Sequence, residues 1–117
     1  MVRLALASVL ALSSLAAHAD AMTAGLLYAY CKDQYNLSQE ACRFYIQGVA
    51  DGIGRAQAGK PPRFCPPKAL PIPELVGAFY RRVEAVDRIY PQDVKSPAAT
   101  LLAETLAERF PCHGARS

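Results

Sequence analysis

An all-α fold, a small bundle of about four helices stapled by two disulfides, is what this sequence predicts, and three observations predict it. Four segments carry apolar residues at the three- and four-residue spacing that gathers side chains onto one helical stripe. No run of useful length alternates apolar and polar residues with period two, so no sheet is expected. Four cysteines, all beyond an N-terminal leader, give an even number in a chain addressed to an oxidising compartment, which reads as two disulfides.

The leader has a short basic start, Met1 to Arg3, an apolar run from Leu4 to Ala17, and a small-residue cleavage pattern at Ala17, His18 and Ala19. Residues 1–19 thus read as a secretory signal peptide and residues 20–117 as a single helical domain, with Ala19, Asp20 and Ala21 offering a second cut. The apolar run is shorter than the roughly 20 residues of a membrane span, so no membrane association is expected after cleavage. Removal of Arg3 takes the formal charge from +3 to +2, too little to argue for nucleic acid or an anionic surface. A domain of this size buries a modest share of its surface and gains from covalent staples.

Taken in order, the first helix starts near Thr23 as N-cap and places Leu26, Leu27, Tyr30 and Cys31 on one side. Ser38 suits the N-cap of a second helix reaching about Gln57, whose stripe is Cys42, Tyr45, Ile46, Val49 and Ile53. Gly48 and Gly52 lie four apart in it, each unfavourable by roughly 1 kcal/mol against alanine, and read as notches for helix packing. A proline-broken basic loop follows from Gly59 to Pro73. Pro73 suits the first turn of a third helix with Ile72, Leu75, Val76, Phe79, Tyr80 and Val83 inward, ended by Tyr90 and Pro91. Ser96 and Pro97 open a fourth, with Leu101, Leu102, Thr105, Leu106 and Phe110 inward and Pro111 at its end. Antiparallel neighbours put Cys31 beside Cys42, and Cys65 beside Cys112, so those are the expected bridges.

Candidate chemistry is sparse. The mature chain has a single histidine, His113, near the C-terminus, and with every cysteine assigned to a bridge no catalytic residue is expected. The cysteine spacings contain no C-x-x-C pair, so neither a metal site nor a cofactor is expected. Asp51 reads as a partner for Arg55 one turn later or for a loop amide, with a general acid or ligand contact as the alternative. Tyr28, Tyr30, Tyr45, Tyr80 and Tyr90 read as core or boundary residues, or as the lining of an aromatic pocket. Arg55, Lys60, Arg63 and Lys68 form either a docking patch for an acidic partner or a solvated loop.

The order of these features carries a resemblance. A helix ending in Cys31 is followed by C-x-x-Y-I-x-G-V-x-D at Cys42 to Asp51, F-C-x-P at Phe64 to Pro67, a helix running to Tyr90 and Pro91, and F-P-C at Phe110 to Cys112. In this the chain resembles the Rap/Tai family of immunity proteins over essentially all of its mature length. The resemblance implies an all-helical periplasmic protein, often a homodimer. Such a protein binds a peptidoglycan amidase delivered by the type VI secretion system and blocks it sterically, protecting the producing cell. The family's segment before Cys65 varies, and here it reads GIGRAQAGKPPRF. Loops carry recognition and arginine anchors interfaces, so Lys60 and Arg63, with Arg55 on the preceding turn, are the expected partner-binding residues. The rival reading is a small periplasmic stress-protective chaperone of the helical, disulfide-bonded type, whose acid response would rest on its carboxylates.

Overall fold

The computed structural model describes residues 21–112; the expected signal peptide and His113 lie outside the described residues. Four α-helices occupy them: α1 Ala24–Lys32, α2 Asn36–Ala56, α3 Ile72–Val86 and α4 Ala98–Arg109, with a 3-10 turn at Pro91–Asp93 between the last two. There is no strand among the described residues, only an isolated bridge between Thr23 and Pro97. Both expected disulfides are present, Cys31–Cys42 and Cys65–Cys112, each with its Cα atoms 5.0 Å apart. All four helices feed one core, in which Leu27, Ile46, Leu75, Phe79, Val83, Leu102 and Leu106 are fully buried. Each such side chain contributes about 1.5–3 kcal/mol relative to leaving it in water.

The helix starts differ in how their orphan amides are satisfied. Thr23 caps α1 as expected, its hydroxyl accepting the Leu26 amide at 3.1 Å. The buried face of α1 is Ala24, Leu27, Tyr28 and Cys31, one residue round from the expected stripe, and Leu26 and Tyr30 are exposed. Ser38 does not cap α2, which starts two residues earlier; its hydroxyl donates to Asp33 Oδ2 at 2.7 Å instead. Asp33 also accepts the Tyr35 amide, and these hydrogen bonds, Ser38 first, hold its carboxyl below the usual range. Asp33 therefore organises the α1–α2 turn. Nor does Ser96 cap α4: the Ala98 amide donates to the Met22 carbonyl at 2.9 Å, and the Ser96 carbonyl accepts from Ala24 at 2.7 Å. Residues 22–25 and 94–98 clasp each other by backbone, serving the first turns of two helices at once.

That clasp needs a glycine. A Cβ on Gly25 would lie 2.3 Å from the Gln92 carbonyl oxygen and 2.8 Å from the Val94 nitrogen. The Gly25 amide meanwhile donates to Val94 O at 3.0 Å. Gly48 and Gly52, expected as packing notches, are exposed on the outer side of α2, and an added Cβ at either would meet nothing within 4 Å. The close helix approach therefore belongs to Gly25, and the expectation for Gly48 and Gly52 is corrected within this chain.

Helix α3 buries Leu75, Phe79 and Val83 as expected but stops at Val86, short of Tyr90. Asp87 stops it: its carboxylate takes the Ile89 and Tyr90 amides, both at 2.9 Å, in competition with further helical bonding. Tyr28 and Tyr80 meet edge to face at 5.0 Å under Lys32, and the Tyr28 hydroxyl donates to Glu84 at 2.7 Å. Tyr28 is a core residue and Tyr80 a partly buried one packed against it. Asp51 Oδ1 accepts a hydrogen bond from the Gln47 side-chain Nε2 at 3.3 Å, a helix-surface contact one turn back from itself, and not from Arg55.

Two stability predictions follow from this packing. Gly25→Ala should lower stability by about 1–3 kcal/mol through overpacking. Gly48→Ala and Gly52→Ala should each raise it by roughly 1 kcal/mol through helix propensity. Thermal melts followed by circular dichroism decide this, and the opposite ordering would refute the assignment of the close approach. Cys112→Ser should remove about 4 kcal/mol, the chain-entropy value for a loop of this length, and a melt matching the parent would refute it.

Candidate functional site

The chain leaves α2 through a turn that requires Gly59, the one described residue with a positive φ outside the usual range of L side chains, at 77°. From there Lys60, Pro61, Pro62 and Arg63 run exposed over the surface to Phe64, which is 2 % exposed. Such a proline-rich segment has no ladder to hold it, so side chains and covalent links must. Gln57, at the end of α2, does this from both ends of its amide. Its Nε2 donates to the Phe64 carbonyl at 3.1 Å and its Oε1 accepts the Arg63 amide at 2.7 Å. Beyond Phe64 the Cys65 amide donates to the Phe110 carbonyl at 2.9 Å and the Cys65–Cys112 bridge closes on the end of α4. Phe64 packs against Phe110 with ring centroids 6.3 Å apart. The loop is thus fixed before any partner arrives, which reduces the ordering entropy that a contact must overcome.

Beneath the loop lies a groove of about 560 Å³ between α2, the loop and α4. Ile53 and Ala56 form its α2 wall, Ala103 and Ala107 its α4 wall, and Phe64 and Pro61 its loop side. Small residues one turn apart on α4 make the concavity. Lys60, Arg63 and Glu104 stand on the rim. Glu104 is already engaged by Arg82 at 3.3 Å, whereas among the described residues no ion pair uses Lys60, Arg63 or Arg55. The rim therefore carries net positive charge over an apolar floor. A second depression, between the outer faces of α3 and α4, is lined by Arg81, Arg82, Glu108 and Arg109. There Arg82 pairs with Glu104 and Glu108, and Arg109 with Glu74, so most of its charge is spent within the protein.

Of the three expected partner-binding residues, the structure brings Lys60 and Arg63 together on this rim. Arg55 points elsewhere: it shares the outer strip of α2 with exposed Phe44, Gly48 and Gly52. Sequence reasoning missed Gln57, whose role depends on a carbonyl and an amide seven and six residues away in an irregular loop. It also missed the α4 wall, since Ala103 and Ala107 read only as helix formers. Among the described residues, no group of three or more histidine, cysteine, aspartate or glutamate side chains is placed to hold a metal ion, and no helix is long and apolar enough to cross a membrane.

If Gln57 is the clip, Gln57→Ala should loosen the loop while leaving the helices folded. Trypsin, which is blocked at Lys60 by Pro61, should then cut the Arg63–Phe64 bond markedly faster than in the parent, with an unchanged helical spectrum. Equal cleavage rates would show that the two hydrogen bonds do not hold the loop.

Comparison with protein families matches the chain to the model described as Rap1a immunity proteins over residues 23–112. No curated protein and no solved structure matches the chain.

Proposed function

The chain belongs to the family of Rap1a immunity proteins, and on that premise we propose that it is a periplasmic inhibitor of a peptidoglycan amidase delivered by type VI secretion. Immunity within this family is directed at a secreted effector, so its work is binding. Two disulfides suit an extracytoplasmic address, in keeping with the leader read in residues 1–19. The amidase, the periplasm and the steric mode of inhibition are our reading, and the expected resting place of the effector is the loop carrying Lys60 and Arg63.

The observation that carries this reading is the pinned loop. A segment with exposed cations, held by Gln57 and by a disulfide, is shaped in the free protein to meet a surface of opposite charge. Blocking a cleft needs no bond to be made or broken, only a rigid contact that excludes substrate. The outer strip of α2, where Leu37 and Phe44 are 86% and 63% exposed and Gly48 and Gly52 permit close approach, is where we place a homodimer contact. The chaperone alternative has one observation on its side, the exposure of Leu37, Tyr35, Ile89 and Tyr90.

Co-purification separates these readings. Tagged mature protein incubated with periplasmic and secreted extracts of its own strain should retain one cell-wall amidase in roughly stoichiometric amount, and should suppress that enzyme's hydrolysis of peptidoglycan. Retention of many unrelated proteins, increasing at low pH, would overturn the immunity reading in favour of the chaperone.

A further inference from the structure

We infer that the groove beneath the 57–64 loop is an anchor site for one aliphatic or aromatic side chain of a partner protein, presented on a segment rich in carboxylates, with Lys60 and Arg63 pairing to the carboxylates on either side. This deepens the reading given above and rests on it for the partner's being a protein effector.

The floor and the rim make separate demands on the occupant. Walls of Ile53, Ala56, Ala103 and Ala107 offer an inserted group no hydrogen bond from a side chain, and the Gln57 amide that completes the lining is committed to the loop at both ends, so a polar group placed there would lose its water without compensation. An apolar side chain gains from the same burial. At about 560 Å³ the concavity has room for one side chain of leucine or phenylalanine size together with the backbone that presents it. On the rim, Lys60 and Arg63 outnumber Glu104, whose carboxylate is engaged by Arg82, so an incoming chain faces a net positive edge. A basic segment would meet repulsion; an acidic one would be steered in and held.

A second copy of this chain does not meet both demands. Its most exposed large apolar residue, Leu37 at 86%, is flanked in sequence by Asn36 and Ser38, and Ile89 at 76% follows Arg88. Neither has a carboxylate on each side. Exposed Val86 lies between Glu84 and Asp87, but both of those carboxylates are engaged, Glu84 by the Tyr28 hydroxyl and Lys32 and Asp87 by the Ile89 and Tyr90 amides. The occupant must come from a different protein with its acidic residues close about one apolar residue.

The test uses the full mature, disulfide-bonded chain, labelled with 15N, and three capped pentapeptides as probes: Asp-Glu-Leu-Asp-Glu, its serine-centred counterpart, and Lys-Lys-Leu-Lys-Lys. The leucine-centred acidic peptide should shift the amides of Ile53, Phe64 and Ala107 in a saturable titration. The serine-centred peptide should bind at least about tenfold more weakly, the loss expected for withdrawing one apolar side chain from burial. The lysine-flanked peptide should bind more weakly too, through repulsion by Lys60 and Arg63. Equal binding of the serine-centred peptide, or shifts confined to other surfaces, would overturn the inference. Concentration-dependent shifts at the same amides without peptide would assign the groove to a second copy and overturn it too.

A second arm uses Ala56→Phe, at an exposed wall position where the added ring fills the groove without entering the core. This variant should keep the parent's helical spectrum and lose at least tenfold in affinity for a captured amidase. Undiminished capture would sink the groove while leaving the immunity reading standing. A parent chain that captures no amidase yet seats the acidic peptide in the groove would support the groove and end the amidase reading.

Discussion

The Cys65–Cys112 bridge is the constraint on which the functional surface depends. Helix α2 ends at Ala56 and α3 does not begin until Ile72, so a long stretch of irregular chain must cross the molecule without a ladder of its own. The bridge ties the middle of that stretch to the end of α4, and the Cys65 amide on the Phe110 carbonyl fixes its register there. Only with that end fixed do the two hydrogen bonds of Gln57 hold Phe64 and Arg63 at a set distance from α2. The loop becomes a wall, and the space it closes against Ala103 and Ala107 becomes a groove. A covalent link whose main thermodynamic effect falls on the unfolded chain thus shapes a surface of the folded one.

At the opposite end of the bundle the fold solves a different problem. Two helices begin side by side, and each has early amides in need of acceptors. Mutual backbone hydrogen bonding between residues 22–25 and 94–98 supplies them, at the expense of any side chain at residue 25. The core between the two ends is ordinary, built from Leu, Ile, Val and Phe on four stripes, with Thr105 the buried polar residue and its hydroxyl donating to Leu101 O at 2.7 Å. Rigid helices and a pinned loop suit recognition by shape, consistent with membership of an immunity family.

How much of this was legible in the sequence differs by kind of interaction. The helices, their core stripes in α2, α3 and α4, and both disulfides follow from local periodicity and from the adjacency of antiparallel helix ends. What failed were readings that assumed a locally good residue would be used locally. Ser38 and Ser96 look like caps, yet Asp33 claims the first and the chain near Met22 makes a cap at the second unnecessary. Gly48 and Gly52 look like notches by spacing, while Gly25, with no pattern around it, is the residue pressed against another backbone. Lys60 and Arg63 were legible as exposed cations in a proline loop, but their apolar floor was not. It exists only because α4 passes beneath, a contact between segments some forty residues apart.

The most direct measurement of the central claim, that the loop is built before a partner binds, is hydrogen exchange at single amides in the free, oxidised protein. The Arg63 and Cys65 amides, donors to Gln57 and Phe110, should exchange orders of magnitude more slowly than the amides of unbonded loop residues such as Lys68. Exchange of Arg63 at the rate of an unstructured chain would contradict the account, because a loop that opens so freely cannot serve as the fixed wall of a binding groove.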